Sequence, residues 1–170
     1  MQPFQGQYLG AALRSFVLGL GKSEVIVQQI LRHHGLERID EDQWYDLNTA
    51  RSIYYTVGEQ VGERSLHAVG LEMIRTAQFP PGVDDLKTLL MSLDAAYRLN
   101  CRGPEIGSIT CEFEDDHTAL VVFATPFPCA LCRGILQGCV KKFAGGGLIE
   151  HGPEGCVDRG DPSCCYQITW

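Results

Sequence analysis

Basic residues are scarce in this chain: 14 Lys and Arg stand against 21 Asp and Glu, for a formal net charge of -7 and a pI near 5.1. Counterion release on nucleic acid needs clustered Lys and Arg, and the longest basic cluster is Lys141-Lys142, so no nucleic-acid partner is expected. Long apolar runs are missing as well. No segment approaches the roughly 20 residues of a membrane span, so no membrane partner is expected. Residues 1–10 hold no basic cluster followed by an apolar stretch and a small-residue cleavage site, so the cytoplasm is the expected compartment. A glycine-rich phosphate loop between strand and helix and a nucleophile elbow are also lacking, which leaves no catalytic residue to name and points away from an enzyme.

What remains is a chain of 170 residues, 45% hydrophobic and 21% charged, long enough for one domain with its own core. Apolar spacing predicts helices over Tyr8 to Leu20, Ser23 to His34 with Ser23 as cap, and Glu41 to Val61 behind Asp40. A fourth spans Leu66 to Thr76 and a fifth Val83 to Leu99, separated by Pro80-Pro81-Gly82. The pattern then changes. Ser108 to Glu114 and Thr118 to Thr125 read as a hairpin, Cys129 to Phe143 as a helix, and Leu148 to His151 and Cys165 to Trp170 as strands. The expected architecture is α+β: an N-terminal helical block, 1–103, packed on a four-stranded antiparallel sheet with one inserted helix, 104–170.

Eight cysteines in a chain of this kind suggest metal or redox chemistry more than disulfides. Cys129 and Cys132 form a C-x-x-C at a helix start, where the helix terminus favours thiolate. Cys156 and Cys164 flank a turn-rich segment that can fold back, so four thiolates, Cys129, Cys132, Cys156 and Cys164, can converge. Sulfur coordination of that kind suits zinc, with an iron-sulfur cluster as the alternative. Cys139 and Cys165 stand in reserve for a cluster, and Cys101, Cys111 and Cys139 also read as small buried hydrophobes.

Pro128-Cys129 with Gly134 and Gly138, followed by Cys156-Val157-Asp158-Arg159-Gly160-Asp161 and Cys164, resembles the C-terminal signature of 4-vinyl reductase-type domains. The resemblance implies zinc ligation by Cys129, Cys156 and Cys164 and the binding of phenols. That family's phenol sensors carry a Glu three residues before the middle cysteine, where this chain has Pro153, so the fourth ligand falls to Cys132, with Glu154, His151 and Glu150 behind it. The layout of the chain is similar to heme-nitric oxide/oxygen binding (H-NOX) domains. There Tyr97 stands at the heme-ligating His, and Phe123-Ala124-Thr125-Pro126-Phe127 replaces the propionate-binding Tyr-x-Ser-x-Arg. These departures argue against ordinary heme chemistry, leaving Tyr97 as a ligand for ferric heme only.

The shared layout implies a cavity between helices and sheet, for which Trp44, Tyr54, His67 and Tyr97 are the polar-tipped candidates, with Tyr55 beside them. The expected function is a sensor: a small hydrophobic or aromatic molecule in the pocket, zinc near the C-terminus, and a homodimer or regulatory protein partner as receiver. A cluster-based or heme-based redox or gas sensor is the alternative, and a tetrapyrrole-related reductase the third reading.

Overall fold

The structure, a computed structural model, describes residues 4–21 and 23–170. The segment expected to be helical from Tyr8 begins instead as a strand, β1 (Gln7–Leu9), paired antiparallel with β2 (Trp44–Asp46) and β3 (Cys101–Arg102) in a small sheet of order β2-β1-β3. Local spacing cannot reveal these pairings, because both partners lie far along the chain. Two short helices follow, α1 (Gly10–Leu13) and α2 (Ser15–Gly19), and then α3 (Glu24–His33). The long helix expected from Glu41 starts only at Leu47. Asp46 accepts a hydrogen bond from the Thr49 amide at 3.0 Å and caps α4 (Leu47–Gln60), while Trp44 and Tyr45 are given to β2.

Gly62, at φ 106°, supplies the turn into α5 (Glu63–Thr76), one turn earlier than Ser65 suggests. The helix expected over Val83 to Leu99 is two helices. Asp85 and Thr88 form a reciprocal capping box on α6 (Leu86–Met91), and at Ser92, whose hydroxyl donates to the Leu89 carbonyl at 2.8 Å, the chain turns into α7 (Leu93–Asn100).

The second sheet is four-stranded and antiparallel, as expected, with order β4-β5-β7-β6 from β4 (Ser108–Phe113), β5 (Thr118–Ala124), β6 (Leu148–His151) and β7 (Cys164–Thr169). The inserted helix is α8 (Cys129–Phe143). Strand alternation turns Ala119, Val121 and Phe123 of β5 and Cys164, Tyr166 and Ile168 of β7 into the core. Against that face pack the helices, α5 crossing α8 where Gly70 and Gly134 meet. A Cβ on Gly134 would stand 2.1 Å from the His67 carbonyl oxygen, and one on Gly70 2.3 Å from that of Leu131, so only glycine lets the two backbones approach so closely. Among the described residues, no helix is long and apolar enough to cross a membrane.

Candidate metal centre and cavity

The loop after β6 turns back through Gly155, and the Cys156 amide donates to the Asp161 carboxylate at 2.8 Å, folding residues 156–164 into a tight hook. The hook returns Cys164 to Cys156, with 3.8 Å between the two sulfurs. Asp158 of the same hook accepts from the Cys129 amide at 3.1 Å, holding the N-terminus of α8 against it. Cys129, His151, Cys156 and Cys164 thereby converge, with ligand atoms all within 4.8 Å of one another. Three thiols and one imidazole at this spacing could hold a metal ion.

The surroundings of these atoms suit that task. His151 Nδ1 lies 2.6 Å from the Gly152 carbonyl oxygen, so it carries the proton and leaves the lone pair on Nε2, which is buried without a hydrogen-bond partner. Cys164 Sγ accepts from the Val157 amide at 3.4 Å, and the Tyr166 hydroxyl lies 3.1 Å from Cys129 Sγ. Among the thiols, Cys164 ionises first. The hydrogen bond from Cys129 pulls the Cys164 pKa down, and the same pairing pushes Cys129 up.

Cys132, given the fourth ligand position in the sequence, lies outside this cluster. Three residues along α8 carry it about 4.5 Å up the axis. There it is buried among apolar side chains, its thiol 3.9 Å from the Phe127 carbonyl oxygen, and desolvation pushes its pKa well up. His151, one of the alternatives to it, lies in the cluster. Its signal was present in the sequence: alternation along β6 puts Ile149 and His151 on one face, turned inward.

Between helices and sheet lies a cavity of about 60 Å³, walled by Met73 of α5, Ala96 and Tyr97 of α7, Ile109 of β4, Thr125, and Leu131, Cys132 and Ile135 of α8 among others. Of the four predicted pocket residues it includes Tyr97 alone, whose hydroxyl donates to the Ile106 carbonyl. Tyr54 is fully buried next to it, with its ring 5.5 Å from Phe127 and its hydroxyl donating to the Ala12 carbonyl at 3.3 Å. Trp44 lies in the small sheet under the Arg102 guanidinium, 4.1 Å from its ring centre. His67 lines a surface cleft beside the cysteines with Arg64 and Arg133, and burial holds its pKa below the usual range. Tyr55, half-buried, donates to Asp158 at 3.2 Å. The sequence reading passed over Thr125, whose hydroxyl is buried without a nitrogen or oxygen partner.

No family model matches this chain, and no curated protein does. Solved structures do. An H-NOX protein from S. oneidensis in the Fe(II)NO state aligns at 15% identity and a TM-score of 0.68, covering 94% of this chain and 97% of that one. An oxygen-binding H-NOX domain related to soluble guanylate cyclases, in its oxygen complex, aligns at 19% identity and 0.68, over 94% and 93%. A structure from work on heme distortion in the H-NOX family aligns at 17% identity and 0.71, over 95% and 94%. The resemblance to 4-vinyl reductase-type domains finds no support among these matches. The expected cofactor, zinc or an iron-sulfur cluster in its place, is corrected by them too, since the solved structures with this fold are described by Fe(II) and heme chemistry.

The residues present here do not fit heme either. Its carboxylates need cationic partners, and neither Lys, Arg nor His is among the residues that line the cavity. Tyr97, at the position resembling the heme ligand, has its hydroxyl committed to a backbone carbonyl and its pKa pushed up by burial. The ring of Phe127, 5.1 Å from Tyr8 and 6.3 Å from Tyr97, fills the space between them. At about 60 Å³ the cavity is far below the roughly 300 Å³ at which drug-sized sites begin. Identities of 15–19% carry fold and nothing more, and on that ground the chain has the α+β architecture of H-NOX domains.

Proposed function

We propose that this chain is a sensor domain that binds a small hydrophobic molecule directly in its buried cavity, without heme, and reports occupancy through a metal-held clasp at Cys129, His151, Cys156 and Cys164. One observation carries the reading: α8 belongs to both sites. Cys129 opens the helix at the cluster, and Leu131, Cys132 and Ile135 of its first two turns wall the cavity. An ion bound by the four residues would fix the N-terminus of α8 and so the cavity wall, and a ligand that shifts the wall would strain the clasp. The fold shared with H-NOX sensors supports this role, as does the net charge, which leaves protein rather than nucleic acid as the receiver, a second copy of the chain or a separate regulatory protein.

The test is elemental analysis of the purified chain with methyl NMR spectra before and after chelation. About one metal ion per chain, and displacement of the Leu131 and Ile135 methyl signals when it is withdrawn, are the expected results. Cavity methyls indifferent to metal removal would break the coupling.

A further inference from the structure

The polar groups around the cavity differ in one respect, which is whether the protein itself uses them. Tyr97 donates to the Ile106 carbonyl. Asn100 accepts from the Gln78 amide at 3.2 Å and donates to the Gln78 and Ala96 carbonyls at 2.9 and 2.7 Å. Tyr8 is directed to Met73 and to Tyr54. Thr125 is the exception: it follows β5, is 5% exposed, and its hydroxyl meets no nitrogen or oxygen partner, only the weakly bonding thiol of Cys132. An O–H donor shut away from water with no better acceptor than a thiol is costly, and native proteins rarely leave one so unless something else fills the gap.

Size narrows the occupant. A water needs on the order of 10–15 Å³ of such space, and a dry cavity of about 150 Å³ accommodates benzene. A cavity of about 60 Å³ is too small for an aromatic ring and large enough for a few atoms. Its walls carry no charged side chain, so a charged occupant would be left unpaired.

We propose that the ligand of this cavity is a neutral, non-aromatic molecule of about four non-hydrogen atoms with one hydrogen-bond acceptor, and that the Thr125 hydroxyl is the donor that orients it. The proposal deepens the sensor reading and depends on it. Thr125 is then the specificity-determining residue of the site: apolar walls give affinity for any small molecule of the right volume, and the hydroxyl favours those that accept a hydrogen bond.

Acetone and isobutene, nearly equal in shape and differing by one acceptor, are the probes, followed by methyl NMR titration of the full chain. The wild type is expected to bind both, with shifts confined to cavity methyls such as those of Ile109, Leu131 and Ile135. Thr125→Val, close in volume and relieved of an unpartnered hydroxyl, is expected to fold with equal or higher Tm. It should lose roughly two- to tenfold in acetone affinity, the span of one net hydrogen bond, with isobutene unchanged. Thr125→Ser should keep the acetone preference. Equal acetone binding by wild type and Thr125→Val would overturn the anchor while leaving the cavity as a site, and benzene binding as tightly as isobutene would overturn the size limit. If neither small probe moved a cavity methyl, the sensor reading itself would fall.

Discussion

Cys129 and Cys132 lie three residues apart on one helix, and their environments oppose each other. The first has sulfur and imidazole neighbours at the mouth of a loop; the second is sealed in the apolar core. In the proposed clasp, removing one of the four ligating side chains would cost the other three their ion, whereas altering Cys132 would leave all four in place. Cys156→Ser is therefore expected to purify with little or no bound metal, and Cys132→Ser with the full complement, both read by elemental analysis against protein concentration. A Cys132→Ser protein that lost the metal, beside a Cys156→Ser protein that kept it, would return the fourth position to Cys132.

At the scale of elements, the contact between α5 and α8 decides how the cavity is closed. Gly134 has no room for a methyl group against the His67 carbonyl, so Gly134→Ala must push the helices apart. The expected cost is about 1–3 kcal/mol, measured as a lower denaturant midpoint at unchanged m-value, with weaker isobutene binding because the α8 wall moves. Elements with strong local signals were legible in the sequence. The inserted helix 129–143, the strand 148–151 and the hairpin flanking Asp115 to His117 all stand where periodicity and turn residues place them. Elements defined by distant partners were not. The strand at Gln7 is set by pairing with residues 44–46 and 101–102, and Trp44 and Tyr45 pass from a predicted helix into that sheet for the same reason. The site follows the same division. The hook from Cys156 to Cys164 is short enough to read from turn chemistry, but choosing between Cys132 and His151 needed the position of β6 relative to α8, and Thr125 needed a list of hydrogen-bond partners that only three dimensions supply.

At the scale of the whole molecule, two histidines make stability depend on pH. Burial lowers the pKa of His34, which shares a hydrogen bond of 2.9 Å with Thr56, and that of His67. The folded state thus binds fewer protons than the unfolded chain in the acid range, so stability rises with pH. This contribution is complete above the unfolded value of about 6.5 and is lost as pH falls through the lower folded value. Denaturation curves from pH 7.5 to 5 should fall more shallowly for His34→Gln than for the wild type, and identical slopes would remove His34 from the account. The fold as a whole poses the larger question, since it is shared with proteins described by their heme while this chain's cavity has neither the room nor the charges for one. The most direct measurement is the absorption spectrum of the chain produced with heme supplied in excess and then purified. A spectrum without a Soret band, unchanged on titration with hemin, is the result expected of a sensor that binds its ligand unaided, and a Soret band at one heme per chain would contradict it.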